Sequence, residues 1–219
     1  MIRAILFDMD GVLIDSMEAN YFHFNSLLKH FGKRELDFGE YKKSHWGTHI
    51  HDDIKRIFGR ISNEKFSEMV SYYNKTSSKF VKDQKLYLGV KRVLRFLQRK
   101  YKIALVTSTL SKLTRRILQH FSLVRYFDVV IDGGVVKNPK PSPEAVLLAC
   151  KKLKIKPSEA IYIGDNFRDV KAGKKASCSV IGITTISTKR ELKGADEIVN
   201  SFGELINMIG NLDSAHVKL

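Results

Sequence analysis

Ile2-Arg3-Ala4-Ile5-Leu6-Phe7-Asp8-Met9-Asp10-Gly11 opens the chain with a short apolar run that stops at two acids and a glycine. A few residues of this kind, rich in β-formers, read as a buried strand. Its carboxyl end delivers Asp8 and Asp10, and Gly11 lets the chain turn directly after them. Further strands are predicted over 102–106, 128–131, 160–164, 178–183 and 196–199. Helical patterning covers 90–99, 111–121, 142–153 and 166–176 in between. Ser142-Pro143-Glu144 suits a helix start, with Ser as N-cap, Pro at the first helical position and an acid in the first turn. Thr188-x-x-Glu191 and Ser201-x-x-Glu204 have capping-box spacing ahead of two short helices. Strands alternating with helices predict a doubly wound α/β fold, a parallel sheet covered on both faces.

The stretch between the first strand and residue 83 breaks that alternation. Residues 17–31 carry Phe24, Leu27, Leu28 and Phe31 at three- and four-residue steps, and helical patterning continues over 49–58 and 64–80. The expected organisation is an α/β core from 1–15 and 83–219, with an inserted all-helical cap domain over 16–82. Internal repeats are not detected, and the tail from Asn211 is expected to fray.

The chain has 219 residues, 43% apolar and 28% charged, enough to bury a real core. Apolar runs stay well short of the roughly 18–20 residues of a membrane span. The acid at position 8 interrupts any signal-peptide apolar region. Cys150 and Cys178 are the two thiols, too few for a disulfide framework or a zinc cluster. A cytoplasmic protein with reduced thiols and no membrane partner is expected. The net charge is +15, and 84–127 contains no acid. Arg92, Arg95 and Arg99 would share one helix face there. Without interleaved aromatics and glycine loops, this is read as a solvated basic face and not as a nucleic-acid site.

In an open parallel sheet, ligands bind beyond the carboxyl ends of the strands. Asp8 and Asp10, then Thr107 and Ser108, then Lys140, then Asp165 all follow predicted strands at that edge. Phe7-Asp8-Met9-Asp10-Gly11-Val12-Leu13-Ile14-Asp15-Ser16 resembles the first motif of the haloacid dehalogenase-like phosphohydrolase superfamily. Val106-Thr107-Ser108 is similar to its second motif. Lys137-Asn138-Pro139-Lys140-Pro141-Ser142-Pro143 is similar to the third, and Ile163-Gly164-Asp165-Asn166-Phe167-Arg168-Asp169 to the fourth. The resemblance spans nearly the whole chain, in order.

The residues themselves suit hydrolysis of a phosphomonoester. Asp8 can attack phosphorus in line and form an aspartyl-phosphate. Asp10 can protonate the leaving oxygen and then activate water. An anionic nucleophile facing an anionic substrate requires a cation, and carboxylate oxygens suit Mg²⁺ bridging Asp8, the phosphate and Asp165. Lys140 supplies fixed positive charge and Thr107 a hydroxyl donor, with Gly11 and Ser108 as further phosphate-binding positions. The resemblance implies the backbone carbonyl of Asp10 as a further metal ligand. It also implies that Asp169 orients the metal's ligands or Lys140.

Relatives with other chemistry differ at identifiable positions. The namesake dehalogenases do not have the second acid that Asp10 provides. Phosphonate-cleaving relatives use a Schiff-base lysine in the cap, for which Lys42 and Lys43 are candidates by position only. β-Phosphoglucomutase-like relatives often carry a histidine where this chain has Asn20. In Tyr41-Lys42-Lys43-Ser44-His45-Trp46-Gly47-Thr48-His49, a cap loop ending in glycine would reach the substrate. His45, Trp46 and Gly47 are therefore specificity candidates, with cap core as the other reading for Trp46. His49 and His51 would diverge on a helix and are not read as a metal pair, and Glu18 is read as a first-turn helix residue. The expected partner is a small phosphorylated metabolite such as phosphoglycolate or a sugar phosphate. A phosphomutase is the alternative, and a non-catalytic nucleic-acid-binding or scaffold protein on the same fold is the third reading.

Overall fold

Six strands carry the molecule: β1 (Ala4–Phe7), β4 (Lys102–Val106), β5 (Val129–Ile131), β6 (Ala160–Gly164), β7 (Ser179–Ile183) and β8 (Glu197–Val199). They form one parallel sheet in the order β5-β4-β1-β6-β7-β8. The computed structural model describes residues 1–215, with side chains described to 210. The helices of this layer are α5 (Val90–Leu97), α6 (Ser111–His120), α7 (Glu144–Leu153), α8 (Phe167–Lys175) and α9 (Phe202–Ala215).

Alternation along β1 explains the two layers. Ile5 and Phe7 join Ile103, Leu105, Ile161 and Ile163 in one cluster, against Val93 and Leu97 of α5, Ile117 of α6 and Leu205 of α9. Ala4 and Leu6 point the other way, with Ala104, Val106 and Tyr162, toward Val146 and Ala149 of α7 and Ala172 of α8. A strand buried on both faces has no polar side, which is why these segments read as unbroken apolar runs. Phe7 pairs with Leu105 on one side and Ile163 on the other, so Asp8, Thr107 and Asp165 emerge at one edge. The doubly wound fold is the one the sequence predicts.

Between β1 and β4 the chain forms α1 (Met17–His30), α2 (Phe38–Ser44), α3 (Ile50–Phe58) and α4 (Asn63–Val81). Phe24, Leu27, Leu28, Tyr41, Trp46, Ile54 and Met69 give this helical insert its own apolar cluster. A two-residue ribbon pairs β2 (Ile14–Asp15) antiparallel to β3 (Lys85–Leu86), tying the outgoing chain to the returning one. Two-residue strands carry no periodicity, so the sequence pattern does not predict them.

Four local expectations need correction. Helix α2 forms where the pattern predicts none, and Asp37 and Glu40 make a reciprocal capping box at its start. The Thr188–Glu191 box also forms, with Thr188 N–H on Glu191 and Glu191 N–H on the Thr188 hydroxyl, but turns follow it and no helix. Ser142 accepts from the Glu144 N–H at 3.3 Å, one position ahead of the helix cap at Pro143. Helix α5 ends at Leu97, so Arg99 lies beyond it and does not continue the face of Arg92 and Arg95. The tail expectation from Asn211 falls on residues whose side chains lie outside the described part. Among the described residues, no helix is long and apolar enough to cross a membrane.

Candidate active site

Asp8 leaves β1 buried, with its N–H on the Ile163 carbonyl at 2.9 Å. The chain then turns at Gly11, whose φ is +79°. A Cβ there would stand 2.2 Å from Asp165 Oδ2, so only glycine fits both the turn and the approach. Lys140 arrives on the loop after β5 and is itself buried. Its ammonium lies 2.8 Å from Asp8 Oδ1 and 2.6 Å from Asp169 Oδ1. The Tyr162 hydroxyl donates to the same Asp169 oxygen at 2.9 Å.

Asp8, Asp165 and Asp169 each bring an oxygen within 4.8 Å of the others. Burial first, then the charges of Asp169 and Asp165, push the Asp8 carboxyl well above the usual carboxylate range against the pull of Lys140. Burial and Asp169 likewise push Asp165 up to about 7, opposed by hydrogen bonds from Trp46 and Asn166. Burial also opposes the Lys140 charge, yet Asp169 and Asp8 together outweigh it and raise that pKa. Asp169 Oδ2 is buried with no hydrogen-bond partner. Three hard oxygen donors, more negative charge than one lysine balances and an unused acceptor together fit a divalent cation. Asp169 thus joins the side-chain cluster, beyond the orienting part that the resemblance implies for it.

The Asp10 carboxylate is engaged elsewhere. Ser16 Oγ donates to its Oδ1 at 2.5 Å and Asn20 Nδ2 at 3.2 Å, while Thr109 Oγ1 donates to Oδ2 at 2.7 Å. Asp8, Asp10, Thr107, Ser108, Lys140, His45, Trp46 and Gly47 all line one cavity of about 60 Å³. That leaves room for only a few water-sized groups between the strand ends and the insert.

The candidates from the insert divide. His45 is buried in a network internal to the insert, its Nδ1 2.9 Å from Asp53 Oδ1, which also takes Arg56 Nη2 at 2.6 Å. Trp46 joins the insert's apolar cluster, yet its Nε1–H donates to Asp165 Oδ2 at 3.0 Å. Gly47, at φ +72°, lies against Asn166. Lys42 and Lys43 do not line the cavity; Lys42 reaches the Ile186 carbonyl on the surface. His49 caps α3 and meets the Gly133 carbonyl at 2.9 Å. Glu18 is exposed in the first turn of α1.

Sequence reasoning misses Thr109, Ser16 and Tyr162 as site residues. Thr109, two positions after Thr107 in a strand-end run of hydroxyls, offers a signal, and Ser16 closes the stretch that resembles the first motif; Tyr162 offers none beyond its ordinary strand position.

Raised carboxyl groups bind protons more tightly in the folded chain than in the unfolded one. The stability that Asp165 contributes is therefore full below its unfolded pKa near 4 and is lost as pH rises through about 7. In EDTA, the melting temperature of Asp165→Asn should gain on wild type between pH 4 and 7.5, and a divalent cation should narrow the gap. Melting curves at fixed ionic strength check this, and a flat difference would contradict the burial argument.

A model of the haloacid dehalogenase-like hydrolase family matches residues 5–183. The chain is 33% identical over 219 residues to the pyrophosphatase PpaX of Bacillus velezensis, covering 95% of this chain and 97% of that protein. It is 30% identical over 186 residues to a phosphoglycolate phosphatase of Nitrosospira multiformis, covering 82% of each. Among solved structures, a β-phosphoglucomutase from Clostridium difficile matches with a TM-score of 0.83 at 26% identity, covering 99% of both chains.

Proposed function

The chain belongs to the haloacid dehalogenase-like hydrolase family, and on that premise we propose that it is a Mg²⁺-dependent phosphatase of small phosphate monoesters, working through an aspartyl-phosphate on Asp8. The observation that carries this reading is Asp8 itself, buried at a strand end, 2.8 Å from Lys140 and in one cavity with Asp10.

An oxygen of Asp8 attacks phosphorus as the bond to the leaving oxygen breaks, and Asp10 gives that oxygen its proton. Water, deprotonated by Asp10, then attacks the acyl-phosphate, releasing phosphate and restoring both acids. Ser16, Asn20 and Thr109 hold the Asp10 carboxylate in place for both transfers. Lys140 Nζ and the Thr107 hydroxyl face the phosphoryl oxygens, where charge concentrates, with Gly11 and Ser108 beside them. Mg²⁺ held by Asp8 and Asp165, with the backbone carbonyl of Asp10, would offset the charge of nucleophile and phosphate. Asp169 steadies Lys140 through Oδ1, and its Oδ2 would be a further donor to the cation. Residues 16–82 act as the cap, closing over the site and excluding water. We place the protein in the cytoplasm, where the buried thiols of Cys150 and Cys178 stay reduced.

Phosphoglycolate and sugar phosphates are the proposed substrate class. Pyrophosphate is a second reading, favoured by the 33% identity to a protein named as a pyrophosphatase. The phosphomutase alternative is supported by the β-phosphoglucomutase likeness, but Asn20, which bonds Asp10, stands where mutase relatives often have histidine.

Phosphate release from p-nitrophenyl phosphate, phosphoglycolate, sugar phosphates and pyrophosphate tests the reading. Mg²⁺ should support turnover and EDTA should abolish it. Turnover indifferent to EDTA would overturn the metal-dependent mechanism. Isomerisation dependent on a bisphosphate would favour the mutase, and salt-sensitive nucleic-acid binding without turnover the third reading.

A further inference from the structure

We propose that Trp46 is a positioning residue for Asp165: its indole N–H, brought in by the helical insert, fixes the carboxylate that holds the cation, so that cation binding and docking of the insert are linked. The inference rests on the Mg²⁺-dependent reading above and adds to it a role for a side chain outside the four motifs.

Trp46 lies in the turn between α2 and α3, 5% exposed, with its ring among Phe24, Tyr41, Ile50 and Leu110. Packing accounts for the ring, but a buried indole N–H also needs an acceptor. The acceptor is not within the insert. It is Asp165 Oδ2, across the interface at 3.0 Å, while the other Asp165 oxygen takes Asn166 Nδ2 at 3.0 Å.

Two neighbouring contacts keep this turn in register with the core. Arg168 Nη1 donates to the Trp46 carbonyl at 3.0 Å. Gly47 brings its backbone so close to Asn166 that a Cβ would stand 3.0 Å from Nδ2. Positions 46 and 47 thus meet 165, 166 and 168 at successive points. A carboxylate oxygen has a second lone pair, so the indole bond and a cation are compatible on one group. Donors behind a ligating carboxylate set its orientation and raise its affinity for metal. Linkage makes the effect reciprocal: docking that favours the cation is favoured by it in equal measure.

Trp46→Phe keeps an aromatic ring in the cluster and removes the N–H together with the five-membered ring that carries it. Calorimetric titration of the full chain with MgCl₂ should show the dissociation constant raised about tenfold or more. Trp46 is the one tryptophan in the sequence, so wild-type emission reports on it alone. That emission should change saturably with MgCl₂, at the calorimetric midpoint, in a measurement that needs no variant. Unchanged Mg²⁺ affinity in folded Trp46→Phe, or emission blind to Mg²⁺ that calorimetry sees binding, overturns the inference and leaves the metal reading standing. Should the variant not fold, the emission titration decides. A wild type that binds no Mg²⁺ overturns both.

Discussion

Asp8→Asn is expected to lower phosphate release by at least about 10⁴-fold, while melting no lower than wild type in EDTA. The amide has the size of the carboxylate but cannot attack phosphorus. Asp8 also sits among Asp165 and Asp169, whose charges together with burial hold its own ionisation back. Removing that charge relieves repulsion, and Lys140 keeps its 2.6 Å partner in Asp169. Activity and stability should therefore part company. Phosphate release under saturating Mg²⁺ measures the first, and thermal melts in EDTA the second. A variant retaining more than about one part in a hundred of wild-type turnover would contradict covalent catalysis by Asp8.

Lys140→Met should damage both properties. Its ammonium is the one cation bonded to Asp8 and Asp169 among the described side chains, and it is buried with them. Removing one side of a buried ion-pair network costs about 3–5 kcal/mol, because the partner charges stay behind. For a chain of this size that corresponds to a fall of about 6–20 °C in melting temperature. Turnover should drop by about 10²–10³-fold with loss of a donor to the phosphoryl oxygens. Mg²⁺ should raise the variant's melting temperature more than the wild type's, since it meets less competing positive charge. A solvated loop lysine, the ordinary reading of this position between two prolines, would shift stability by less than about 0.5 kcal/mol.

The linear pattern carries much of this architecture, and unevenly so. The bounds 102–106 and 160–164 coincide with β4 and β6 because a strand buried on both faces must be an unbroken apolar run. The acids that follow β1 and β6 are legible for the same reason: in a parallel sheet, strand ends in sequence become one edge in space. Capping chemistry misleads where it is treated as sufficient. Thr188 and Glu191 make their reciprocal bonds, but turns follow, because a box closes only locally and the chain leaves helical conformation at Gly194, φ +103°, before a helix can propagate. At Asp37 and Glu40 the same box does begin a helix, and Tyr41 supplies the buried contact.

Strand positions, the turn at Gly11 and the family's motifs follow from local patterning and residue type, which the linear chain carries in full. Which donors hold each acid does not. Thr109 reaches Asp10 and Trp46 reaches Asp165 across long separations. Nothing in the pattern around Trp46 distinguishes an indole satisfied inside the insert from one bonded to the core. That choice is made by how the four helices dock on the sheet edge, because a hydrogen bond requires its partner within about 3 Å, and only the packed chain sets that distance.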